Sequence, residues 1–108
     1  MFNLKTAYGE YKDCSLYIDH YNADNSLYIG IYNEEGSICD LTKCLTDPSL
    51  KPNEAYVDTS NAPFALSLIA DNAWGKPTGK ETGSGWCRYP VVAFDMDELS
   101  KHIGEMEE

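Results

Sequence analysis

Arginine is nearly missing from this 108-residue chain: Arg88 is the only one, and with seven lysines it faces eighteen Asp and Glu, for a net charge of −10. That scarcity excludes spontaneous binding to a nucleic-acid backbone, which needs several clustered cations to neutralise phosphates. Histidine is scarce too. His20 and His102 fall in different segments. The four cysteines, Cys14, Cys39, Cys44 and Cys87, include no C-x2-C pair, so zinc-ligand spacing is lacking. Neither metal nor cofactor is expected. No stretch approaches the ~20 apolar residues of a membrane span, and the opening MFNLKTAYGEYKD has no signal-peptide apolar core. A cytoplasmic protein with reduced thiols follows as the expectation, without direct contact to nucleic acid or membrane.

The chain is also poor in catalytic equipment. Cys87 can be drawn beside His102 or His20, but no motif surrounds the pair. His102 reads better as a cation near the end of a helix. No catalytic residue is assigned, and a non-enzymatic protein is expected.

What is present is alternation. Residues 14–21 set Cys14, Leu16 and Ile18 against Tyr17, Asp19 and Tyr21, and residues 26–32 set Leu27, Ile29 and Ile31 against Tyr28 and Tyr32. Period two marks half-buried strands, and the NADN between them makes the pair a hairpin. After the NEEG turn (33–36), residues 37–45 read as a third strand, and about 3–11 as an edge strand. Residues 54–59 form a short strand. SNAPFALSLIADNAWG (60–75) reads as a helix capped by Ser60 or Asn61, with Leu66, Ile69, Ala70 and Ala73 on its buried face and Gly75 ending it. A loop over 75–90, a strand over 90–96 and a final helix starting near Asp95 or Asp97 complete the reading. Chain length makes this one domain, 1–108, frayed over 104–108. The expected fold is α+β: a small antiparallel sheet of about four to six strands with two helices packed on one face.

Two surfaces stand out. The hairpin's outer face gathers Tyr17, Asp19, Tyr21, Tyr28 and Tyr32. Tyrosine offers contact area and a polar tip at little entropic cost, so this face suits a protein partner or self-association. Cross-strand stabilisation of the sheet is the competing reading. The second surface is KPTGKETGSGWCRYP (76–90), where Lys76, Lys80 and Arg88 cluster beside Trp86. It is not a nucleotide-hydrolysis loop, because its glycine spacing is wrong, Glu81 stands where Ser or Thr should be, and it follows a helix. It remains the alternative site for an anion or nucleotide, with those three cations and Trp86 as contacts.

Asp58-Thr59, Pro63, Pro77-Thr78-Gly79, Ser84-Gly85-Trp86 and Tyr89-Pro90 together resemble a family of uncharacterised small acidic proteins of bacterial mobile elements: conjugative elements, plasmids and prophages. The resemblance spans most of the chain and carries no established activity. It implies a setting in which small acidic proteins act as counter-defence inhibitors of the anti-CRISPR or anti-restriction type. Carboxylates would then occupy the basic surface of a nuclease or guide complex.

Overall fold

The computed structural model describes residues 2–6, 9–22, 26–45, 49–84 and 87–103. Two four-stranded antiparallel sheets carry the fold. The first runs β1-β2-β3-β4, from β1 (Phe2–Thr6), β2 (Gly9–His20), β3 (Leu27–Asn33) and β4 (Gly36–Asp40). The second runs β5-β6-β8-β7, from β5 (Thr42–Lys43), β6 (Glu54–Val57), β7 (Gly75–Ser84) and β8 (Cys87–Phe94). The helices are short: α1 (Ala65–Asp71) has seven residues and α2 (Met96–Ser100) has five.

The expected α+β fold is therefore wrong. Of the described residues 58% are in strands and 13% in helices, and the second sheet, not a helical layer, closes the core. Leu16, Leu27, Ile29 and Ile31 from the first sheet meet Ala55, Val57, Val92 and Phe94 from the second in one buried cluster, to which α1 adds Ala65 and Ile69 and α2 adds Leu99. The helix face differs from expectation as well: Leu66, Ala70 and Ala73 are exposed.

The expected hairpin is there. Leu16 pairs with Ile31, Ile18 with Ile29 and His20 with Leu27, so the apolar series of β2 and β3 share the inner face. The third strand breaks where sequence alternation weakens. Leu41 leaves β4, donates its N–H to Ile29 O (2.8 Å) and accepts at its carbonyl from Asp58 N–H (2.8 Å), so one residue joins the two sheets. Thr42 follows it inward, where its Oγ1 accepts from Ile29 N–H at 3.0 Å.

Most of the segment read as a loop over 75–90 is a strand. Gly75 pairs with Phe94, Lys76 with Ala93, Glu81 with Pro90 and Gly83 with Arg88. Gly75 does not end a helix. Ala73 takes the left-handed conformation (φ 57°), and Gly75 lets β7 close on β8. A Cβ there would meet Ala93 O at 2.7 Å and Val92 Cγ1 at 2.8 Å. Ser60 and Asn61 cap no helix either: α1 begins after Phe64 with no side-chain cap.

The last helix is also shorter than read. Asp95 caps it, accepting from Asp97 N–H (3.0 Å) and Glu98 N–H (3.2 Å). The chain then leaves the helix, and Leu16 N–H donates to His102 O at 2.8 Å, so the segment after α2 lies along β2 beyond the end of β1. The fraying expected over 104–108 concerns residues outside the described ones.

Candidate functional site

Strand register builds the tyrosine face. Tyr17 stands opposite Gly30, Asp19 opposite Tyr28, and Tyr32 opposite both Ser15 and Ser37. Cross-strand partners share a face, so Tyr17, Asp19, Tyr28 and Tyr32 lie together on the side of the sheet away from the core. The rings interlock edge to face. Tyr28 is 5.5 Å from Tyr21 and 6.1 Å from Tyr17, centroid to centroid. Tyr28 donates its hydroxyl to Asp40 Oδ1 at 2.8 Å, and Tyr21 donates to Thr42 O at 3.1 Å. Burial first, then the bond to Asp40, pushes the Tyr28 phenol well above its ordinary range; burial does the same to Tyr21.

The glycine opposite Tyr17 shapes this surface. With no side chain at Gly30, a hollow of about 220 Å³ opens between Tyr17, Tyr28 and Tyr32. Asp19 is the register partner of Tyr28 and Asp40 that of Gly30, and none of the face residues named is cationic. The N-terminal strand leaves it uncovered: β1 pairs only with the Gly9–Cys14 half of β2, and Tyr17 is 39% exposed.

The cations of the 76–90 segment do not converge. Lys76 stands opposite Ala93 and Arg88 opposite Gly83, five positions apart along β8. At ~3.3 Å per residue the separation is roughly 16 Å, and alternation puts the two side chains on opposite faces of the hairpin. Arg88 is engaged by Glu81, its Nε and one terminal nitrogen each 2.9 Å from Oε2. Lys80 Nζ donates to Ser49 Oγ at 3.0 Å. Trp86 lies outside the described residues. Strand pairing thus spreads Lys76 and Arg88, which the sequence lists close together.

The thiols divide by environment. Burial raises Cys14, and it raises Cys39 to about 11. Cys87 is lowered, first by its hydrogen bond with Ser60 (Sγ to Oγ 3.4 Å) and then by Tyr89. Its bonding partner is a hydroxyl rather than either histidine. Behind it, the buried Asp58 carboxylate holds the DTSN turn, accepting from Asn61 N–H (3.2 Å) and Nδ2–H (3.0 Å). Among the described residues no group of three or more His, Cys, Asp or Glu could hold a metal ion.

His102 is not the helix-end cation expected. Its ring packs edge-on against Phe2 (5.8 Å) and Trp74 (5.3 Å), and burial lowers its pKa. Trp74 is fully buried and central to the core. Composition gave no sign of either role, since both depend on contacts between the two ends of the chain.

Fold and surface together define a small two-sheet β protein with an aromatic, acid-flanked outer face. The family model for a domain of unknown function, DUF4313, matches residues 15–107, and the chain belongs to that family. Neither the curated proteins nor the solved structures give a match. Among the described residues, no helix is long and apolar enough to cross a membrane.

Proposed function

We propose that this protein is a non-enzymatic binding module whose tyrosine face engages a basic patch on a protein partner. The observation that carries the reading is the hollow beside Gly30, lined by Tyr17, Tyr28 and Tyr32, with Asp19 and Asp40 as the register partners of Tyr28 and Gly30. Aromatic faces attract a lysine or arginine head by cation–π interaction, and carboxylates beside them complete the charge match. Tyrosines held in a ladder lose little entropy on binding, which suits them as hot-spot residues. The resemblance described above adds the setting: an accessory protein of a mobile element that blocks a host nuclease or its guide complex.

The test is affinity purification from a host with an intact nuclease defence, using the wild type beside Tyr17→Ala/Tyr32→Ala. A basic partner that the wild type retains, that the variant loses, and that raised salt releases is the expected result. Equal recovery by both proteins would remove the tyrosine face from the reading. Light scattering at two concentrations separates this from self-association: a concentration-dependent dimer lost in the same variant would make a second copy the partner.

A further inference from the structure

A cleft of about 510 Å³ opens elsewhere, between β1, β2 and β4 of the first sheet and the turn that precedes α1. None of the tyrosine-face residues lines it. Its size falls within the ~300–1,000 Å³ of small-molecule sites. Tyr11, Ile38, Pro63 and Phe64 supply apolar and aromatic wall, and Asn61 and Lys5 supply polar groups. Such a mixture, mostly apolar with a few placed polar groups, characterises sites that hold a small molecule by its body and orient it by its head.

Charge narrows the occupant. Among the described residues no carboxylate lines this cleft and Lys5 is its one charged lining residue; Glu10, the register partner of Lys5, is not part of the lining. The Lys5 ammonium and the Tyr11 hydroxyl have no partner among the described residues. Asn61 commits its N–H and Nδ2 to Asp58, leaving its side-chain oxygen as an acceptor. That turn is held by the buried Asp58, so the Ser60–Phe64 wall is built before any ligand arrives. A single cation in a chain of net charge −10 suits one negative charge better than two.

We infer that the cleft between β1, β2, β4 and residues 60–64 is a binding site for a small aromatic monocarboxylate, its ring against Tyr11 and Phe64 and its carboxylate on Lys5. The site is separate from the tyrosine face and stands or falls independently of it. Cys39 completes the wall as a neutral thiol, because burial keeps it protonated at ordinary pH.

Indole-3-acetate is a suitable probe, followed by amide-resolved NMR titration up to about 10 mM, since a ligand of this size in a simple cleft binds near about 1 mM. The expected result is saturable amide shifts at Lys5, Tyr11, Ile38, Cys39, Ser60, Asn61, Ala62 and Phe64. Indole-3-acetamide, neutral and of the same shape, should bind about tenfold more weakly, and so should the wild-type probe to Lys5→Met. No saturable shift at those positions overturns the site. Equal affinity for acid and amide, or for wild type and Lys5→Met with an otherwise unchanged spectrum, overturns the carboxylate assignment. Tighter binding of phenyl phosphate than of indole-3-acetate also overturns it.

Discussion

The ring of Tyr28 lies over Gly30, so that a Cβ added at Gly30 would overlap the Tyr28 hydroxyl. Gly30 is also the register partner of Asp40, whose carboxylate accepts a hydrogen bond from that hydroxyl. The absence of a side chain in the middle of β3 is therefore what lets Tyr28 reach across to β4. Gly30→Ala should push Tyr28 off Asp40. The lost bond to a charged acceptor is worth about 1.5–3 kcal/mol, and urea unfolding should register a loss of that order.

The same relationship fixes a dependence on alkali. Tyr28 and Tyr21 titrate above their ordinary value in the fold. A folded-state pKa above the unfolded one means that the folded state holds its proton longer. That contribution is complete below about pH 10 and is lost as pH rises beyond it. Urea midpoints measured between pH 8 and 11 should fall above pH 10 in the wild type. The fall should be shallower in Gly30→Ala, where Tyr28 has lost Asp40.

His102 works in the other direction. Burial against Phe2 and Trp74 lowers its pKa below the ordinary value of about 6.5. The unfolded chain then takes up the proton first, so stability from this group is complete above about pH 6.5 and is lost as pH falls below it. Besides burial, the charged groups bearing on it are the N-terminal amino group and Lys101, which oppose the proton, and Glu98, which favours it. His102→Phe keeps a flat ring in the stack and removes the titration. Unfolding midpoints compared at pH 7 and pH 5 should drop less in the variant than in the wild type. An equal drop would place the acid sensitivity elsewhere.

How far the sequence could be read depended on whether burial wrote a pattern. The β2–β3 hairpin was legible because one face is core and the other is not, which leaves Leu16, Ile18, Ile29 and Ile31 in strict alternation. The turn before Gly36 and the Asp95 cap were legible because local chemistry decides them. β7 was not legible. Residues 76–81 are exposed in succession, so the strand carries no alternation and owes its form to hydrogen bonds with β8. Missing that strand removed the second sheet and left two helices to cover the core. The tyrosine face came from the legible hairpin. The 60–64 cleft wall depends on how the second sheet presents a turn to the first, and no local signal encodes that.

Gly75 tests the account of β7. Its Cβ would run into the Ala93 carbonyl and the Val92 side chain, neither of which can swing aside without opening the sheet. Gly75→Ala should cost about 1–3 kcal/mol, the range for overpacking a tight contact. Amide exchange should locate the damage in Gly75, Lys76 and Val92–Phe94 rather than in the β2–β3 hairpin. An alanine tolerated without loss would contradict the close approach of β7 to β8.

The separation of Lys76 from Arg88 can be measured as a coupling energy. Groups on opposite faces of a hairpin and roughly 16 Å apart have no shared partner, so their substitutions should add within about 0.3–0.5 kcal/mol. Arg88→Ala alone should cost under about 1 kcal/mol, because its pair with Glu81 is exposed on both sides, at 67% and 48%. Lys76→Ala should change little, and the double variant should equal the sum. A coupling above about 1 kcal/mol in the presence of ATP would mean that the two cations share an anion after all. Additivity with and without ATP would leave the hairpin as a structural element of the second sheet, and the search for ligands would move to the cleft beside Lys5.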